Sequence, residues 1–266
     1  KMKQRVITAV VALIVFIPII VYGGIAIELA AAVLSCIALF ELFKMNQLNL
    51  VSFEGIVSLL MTLTLVLPSE WFTFLPQEGN NFSLFYFFVM ILLAAQVISK
   101  NTYTIEEAGF PVIASLYVGT GFHYFVEARQ KSLVVLLFAL FIVWATDIGA
   151  YMIGRKIGKN KLWPEISPNK TVEGALGGVI SALVVAIIYL LIYPGEEFFG
   201  MNSAIICVMT IFFSIAGQFG DLVESAIKRH FGVKDSGNIL PGHGGILDRF
   251  DSLLFVFPLM HLFHLF

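Results

Sequence analysis

About nine apolar runs of near membrane-spanning length follow one another along this chain, and no other feature narrows its fold as much. A spanning helix needs roughly 20 mostly apolar residues. The runs are 6–23, 25–43, 52–68, 82–99, 111–126, 133–154, 175–193, 203–227 and 247–265. Only 13% of residues are charged and 59% are hydrophobic, with a mean hydropathy of +0.91. Soluble domains are nearer a quarter charged, so this much apolar surface calls for lipid as solvent. The expected fold is an all-α polytopic membrane protein with about nine transmembrane helices. The fifth run is the weakest: it is short and contains Gly119, Gly121 and His123, which leaves open whether it crosses fully, is broken or is re-entrant. The opening KMKQR before an apolar run fits a secretory signal. Yet the run is long for one and a second follows after Gly23-Gly24, so an uncleaved anchor is expected. A net charge of -2 gives no reason to expect nucleic acid. Cys36 and Cys207 both fall in apolar runs and read as buried free thiols.

The positive-inside rule orients the chain. With the N-terminus in the cytoplasm and nine alternating spans, every Lys and Arg except Arg129 and Lys131 falls on the cytoplasmic side. The outer loops around 68–81 and 194–202 carry Glu70, Glu78, Glu196 and Glu197 and no basic residue. The C-terminus is then expected on the outer side of a cell (inner or plasma) membrane.

Charge is concentrated. Half of the charged side chains lie in two windows, 147–173 and 221–251, both on the cytoplasmic side of that topology. Residues 1–110 therefore read as scaffold helices. Residues 111–266 read as the functional region, with cytoplasmic loops 155–174 and 228–247.

Ionisable groups next to membrane helices are functional-site candidates by default. Gln218, Asp221, Ser225 and Lys228 are spaced three, four and three apart, one stripe on a helical face; Glu224 and Arg229 flank it. Asp248, Asp251 and Ser252 share a face where the ninth run begins. Two helices thus offer carboxylates at one depth. Oxygen-only donors of this kind suit Mg²⁺, which keeps waters and substrate phosphates in its shell. Between them, residues 236–245 contain four glycines, including Gly244 and Gly245. Such a loop can turn its N–H groups toward an anion ahead of a helix N-terminus. Lys228, Arg229, Lys234 and Arg249 surround it, which favours a phosphate site. In the other window Asp147 and Tyr151 are four apart on one face. Ser167–Thr171 reads as a polar turn that carries Lys170 and caps the next helix through Asn169 or Thr171. Arg155, Lys156 and Lys159 read as a basic loop against anionic lipid heads. His243 is open to two readings, a general base or, more in keeping with its loop, a phosphate ligand or an ordinary loop histidine.

These residues also resemble a known family. Ser225, Ile227, Lys228-Arg229, Lys234-Asp235, Gly237, Leu240-Pro241, His243-Gly244-Gly245-Ile246 and Asp248-Arg249-Phe250-Asp251 are similar to the signature of phosphatidate cytidylyltransferases (CDP-diacylglycerol synthases). The stretch 144–178, with Asp147, Gly149-Ala150-Tyr151, Ser167-Pro168, Lys170-Thr171 and Glu173-Gly174, looks like that family too. The resemblance implies CTP + phosphatidic acid → CDP-diacylglycerol + pyrophosphate, Mg²⁺ dependence, a polytopic membrane fold and a homodimer. It implies that Asp221 and Asp248 bind the metal. On that reading Lys228 and Arg249 share the catalytic work, with room for a second cation. Lys170, Arg229, Lys234, His243, Gly244 and Gly245 serve the phosphates, while Asp147, Tyr151, Ser225, Asp235 and Asp251 are secondary candidates. The chemistry suits the residues. A lipid phosphate monoester is already largely ionised at neutral pH, and phosphoryl-type transfer is mainly positioning and charge neutralisation.

Two rival readings stay open at this point. One is a CTP-dependent polyprenol or dolichol-type lipid kinase. The other is a transporter with a cytoplasmic-side ion site, since intramembrane carboxylates also mark ion pathways. A CDP-alcohol phosphotransferase is disfavoured, because no DG-x-x-AR…G-x-x-x-D-x-x-x-D run occurs.

Overall fold

Apolar runs that complete their own backbone hydrogen bonds become helices, and the computed structural model of this chain is built almost wholly of them. It describes residues 2–75, 80–240, 242 and 244–266. Each of the first eight apolar runs coincides with a single helix: α1 (Met2–Tyr22), α2 (Gly24–Met45), α3 (Phe53–Val66), α4 (Asn81–Ile98), α5 (Ile105–Lys131), α6 (Leu133–Ile157), α7 (Val172–Ile192) and α9 (Ser203–His230). A one-turn helix α8 (Gly195–Phe198) precedes α9. Among the described residues, five helices are long and apolar enough to cross a membrane, namely α2, α4, α6, α7 and α9. The chain is an all-α membrane protein with one small addition, a β-hairpin.

The chain divides into two compact units. Unit 1 is Lys1–Val126 with Asp235–Leu247, and unit 2 is Glu127–Lys234 with Asp248–Phe266. In unit 1, Val57 and Met61 of α3 pack with Phe85 and Leu92 of α4 and Ala108 of α5. The α5 segment is one unbroken helix. Gly119 does not interrupt it; a Cβ there would lie 3.0 Å from the Leu65 side chain, so the glycine lets α5 approach α3 closely.

In unit 2, α6 and α7 pack through small residues. A Cβ on Gly149 would lie 2.1 Å from Ser181 Oγ, and one on Gly178 would lie 2.9 Å from the Thr146 carbonyl. Without a hydrophobic driving force between helices in lipid, such close backbone approach is what holds them together. The α9 helix joins this pair, with Thr146 and Ser214 hydroxyls hydrogen-bonded at 2.9 Å in the buried interior.

Two expectations are corrected here. The segment Ser167–Thr171 is a strand, β2, paired antiparallel with β1 (Lys161–Trp163), rather than a bare polar turn. The pairing is pinned from the helix side: the Glu173 carboxylate accepts the N–H groups of Lys159 (3.1 Å) and Asn160 (3.2 Å) and the Asn160 side-chain amide (2.7 Å). Of the two proposed caps, Thr171 is the one used, its Oγ1 accepting from Gly174 N–H at 3.1 Å. The ninth run is also not one helix. It splits into α10 (Leu247–Phe250) and α11 (Leu253–Leu262). The physical cause lies in Asp251, whose Oδ1 takes the Ser252 N–H at 2.6 Å and so competes with the helical ladder.

Candidate active site

Unit 2 holds a cavity of about 530 Å³, lined among others by Asp147, Tyr151, Asn169, Lys170, Gln218 and Asp221. That size lies within the usual range of small-molecule sites. Three local devices bring these side chains together. The α6 face with four-residue spacing presents Asp147 and Tyr151, both exposed. The hairpin brings Lys170, just ahead of the Thr171 cap. The stripe on α9 supplies Gln218 and Asp221, with Gln218 Nε2 donating to the Ala175 carbonyl at 3.1 Å.

The electrostatics of this cavity are those of acids held by few bases. Lys170 Nζ pairs with Asp221 Oδ2 at 2.6 Å, both side chains about a third exposed (29% and 34%). Ser225 Oγ donates to Asp221 Oδ1 at 3.4 Å. Asp147 feels repulsion from Asp221 and attraction from Lys170 and Arg249. Asp251 feels both Asp221 and Asp147. Two turns further along α9, Lys228 Nζ lies between Glu224 Oε2 (2.8 Å) and Asp248 Oδ1 (2.7 Å). This cluster is far more buried, the side chains being 15% exposed for Lys228, 1% for Glu224 and 9% for Asp248.

The remaining candidates are not among the residues that line the cavity. Arg229 is exposed, and its Nε donates to the Ile166 carbonyl at 3.2 Å, tying α9 to the hairpin turn. Arg249, Lys234 and Asp235 are exposed. Gly244 and Gly245 belong to unit 1, where Gly244 has a positive φ of 85° and its carbonyl accepts the Leu240 N–H at 3.0 Å. His243 lies outside the described residues. Two carboxylates lie outside the expected set of site residues: Glu224, whose four-residue spacing to Lys228 is a usable signal, and Glu41, one of two acids, with Glu28, in the apolar α2 run.

No three His, Cys, Asp or Glu side chains form a ready cage for a metal among the described residues. A hard divalent cation such as Mg²⁺ needs less, since one or two carboxylates and the substrate's phosphates suffice. The donor set fits such an ion. Glu224 Oε1 is buried and meets no hydrogen-bond donor among the described residues, and Asp251 is near enough to repel it. Asp147, Asp221 and Asp251 repel one another nearby. Acids outnumber bases here, with Asp147, Asp221, Glu224, Asp248 and Asp251 set against Lys170, Lys228 and Arg249.

Comparison with known proteins decides the family. A family model described as "Cytidylyltransferase family" matches residues 3–266. The chain belongs to the cytidylyltransferase family. It is 46% identical over 263 residues to a phosphatidate cytidylyltransferase of Bacillus subtilis (strain 168), covering 98% of this chain and 96% of the relative. It is 47% identical over 264 residues to one of Staphylococcus haemolyticus (strain JCSC1435), and 46% identical to one of Staphylococcus aureus (strain COL), with 98% of each chain covered in both cases. The match runs through both units, so the N-terminal helices belong to the family as much as the polar C-terminal segments do.

Proposed function

We propose that this cytidylyltransferase acts on CTP and phosphatidic acid, giving CDP-diacylglycerol and pyrophosphate for phospholipid biosynthesis at the cytoplasmic face of the cell membrane. The observation that carries this reading is the cavity that joins Asp147 and Tyr151 of α6, Lys170 of the hairpin and Asp221 of α9. The names of the relatives support the substrates.

A phosphate oxygen of the lipid attacks the α-phosphorus of CTP. The new P–O bond forms as the bond to the α,β-bridging oxygen breaks, and pyrophosphate leaves with that electron pair. The attacking monoester is largely ionised at neutral pH, so no strong base is required. Two polyanions must be brought together, and this chain's residues serve that need. Lys170, open to the cavity, is within reach of phosphate there. Arg249, Arg229 and Lys234 add positive charge, with Gly244 and Gly245 in the loop. Lys228 orients Asp248. Asp221 and Asp248 would hold Mg²⁺, with the crowded acids Asp147, Asp251 and Glu224 leaving charge for a second cation. Bound there, Mg²⁺ supplies neutralisation of the triphosphate and of the departing pyrophosphate. The diacyl tails stay in the bilayer. Nine crossings, a cytoplasmic N-terminus, an outer C-terminus and a homodimer complete the proposal.

The test uses purified protein, phosphatidic acid, Mg²⁺ and CTP labelled at the α-phosphate. Label is expected in the lipid. Label that stays in CDP would make the chain a lipid kinase. Asp221→Asn and Asp248→Asn are each expected to abolish CDP-lipid formation in well-folded protein, and near wild-type turnover in either removes its metal role.

A further inference from the structure

Glu41 lies in the last two turns of α2, inside an apolar helix, and is 1% exposed. A buried carboxylate in such a helix is costly unless donors meet it. Here the donors come from the glycine-rich segment of the same unit. Glu41 Oε1 accepts the Ile246 N–H at 2.9 Å. Oε2 accepts the Leu247 N–H at 2.8 Å and the Ser236 hydroxyl at 3.2 Å. The segment wraps the carboxylate closely. A Cβ on Gly237 would lie 2.6 Å from Oε1, and one on Gly245 would lie 2.5 Å from it. A side chain at either position would have to displace the carboxylate from where it sits.

This arrangement changes the reading of the loop. The N–H groups of residues 236–245 are expected to face a substrate phosphate, yet the two that follow, on Ile246 and Leu247, hold an anion supplied by the protein itself. Hydrogen bonds to a charged acceptor are among the stronger ones, and these sit just before Asp248 and Arg249 in the chain. A helix end in lipid could be closed with Leu or Phe at no such cost. The carboxylate instead engages residues from both ends of the loop, Ser236 and Ile246-Leu247.

We propose that Glu41 is a positioning residue for the transfer reaction. It takes the place of an anion before the Ser236 hydroxyl and the Ile246 and Leu247 amides, ties these residues together, and sets the backbone from which Asp248 and Arg249 follow. The kinetic half of this inference rests on the function proposed above, whereas the structural half does not.

The test compares wild type, Glu41→Gln and Glu41→Asp as full-length protein in lipid nanodiscs. Two readouts are used, hydrogen exchange of peptides covering 236–247 and kinetics with CTP and phosphatidic acid. Gln is isosteric but neutral and places an NH₂ where an acceptor is needed. Loop exchange in Glu41→Gln is expected to rise about ten- to hundred-fold, with α6 and α7 unchanged. The value of kcat/KM for CTP is expected to fall about ten-fold or more, while KM for phosphatidic acid stays within about two-fold. Glu41→Asp, which keeps the charge, is expected to recover part of both. Wild-type loop exchange in Glu41→Gln overturns the proposal, as does an equal rise across α6 and α7. A loosened loop with unchanged CTP kinetics overturns the positioning role. If Glu41→Gln does not fold, Ser236→Ala carries the same test, with an expected rise of about three-fold confined to the loop. Should wild-type protein fail to use CTP and phosphatidic acid at all, the proposed function falls, and loop exchange alone still decides the clamp.

Discussion

Two lysines of unit 2 hold acids under different conditions, and their loss is expected to read out differently. Lys228 is mostly buried between Glu224 and Asp248. Removing one partner of a buried ion pair leaves uncompensated charge and costs about 3–5 kcal/mol. Lys228→Met is therefore expected to lower the thermal unfolding midpoint of the detergent-solubilised protein sharply. Lys170 pairs with Asp221 where both are about a third exposed, and such pairs contribute about 1 kcal/mol or less. Lys170→Met is expected to leave the midpoint nearly unchanged while CDP-lipid formation drops at least ten-fold, about 1.4 kcal/mol of transition-state stabilisation. Equal midpoint losses in the two variants would remove the distinction. At this scale the sequence was partly transparent. Helical spacing put Asp221, Ser225 and Lys228 on one face, and the structure has them there. The partners of Glu41 could not be read, because they lie 195 to 206 residues away in the chain. Its place among apolar neighbours, Ala38-Leu39-Phe40 before it and Leu42-Phe43 after it, is its one mark in the sequence.

Among the elements, the α6–α7 pair and the hairpin between them determine where Asp147 and Lys170 stand. Their packing tolerates no added bulk at Gly149, where a Cβ would press on Ser181 and on the Gly177 carbonyl, 2.9 Å away. Overpacking of this kind costs about 1–3 kcal/mol. Gly149→Ala is expected to lower the unfolding midpoint and activity together. Thr171→Ala, which removes the α7 cap, is expected to cost about 0.5–2 kcal/mol, and Thr171→Ser to restore most of it; a cap-independent helix would show no difference between the two. Eight helices were visible as apolar runs because lipid selects so strongly for such runs. The hairpin was not, since its strands are short and polar and are held by Glu173 rather than by an alternating pattern. The break at Asp251 was hidden for a similar reason. A carboxylate in a first helical turn looks like ordinary dipole complementation until its own backbone contact is seen.

For the whole molecule, the distribution of basic residues argues for one orientation, and cysteine labelling tests it. With Cys36 and Cys207 replaced, Lys159→Cys in the loop before the hairpin and Glu197→Cys before α9 fall on opposite sides in that topology. A membrane-impermeant maleimide added to intact cells is expected to label position 197 and not 159. Permeabilised cells are expected to show both, and the reverse pattern in intact cells would invert the topology. The division into two units was not legible, because unit 1 is closed by a segment near the far end of the chain.

That closure has a consequence for biosynthesis. The first unit begins emerging from the ribosome at once, but its last piece, residues 235–247, arrives only after most of the second unit has been made. A nascent chain stalled before Ser236 has Glu41 in an apolar helix without the Ser236 hydroxyl or the two amides that meet it in the finished protein. The N-terminal helices must then wait, inserted but incomplete, for a strip of polypeptide translated some two hundred codons later.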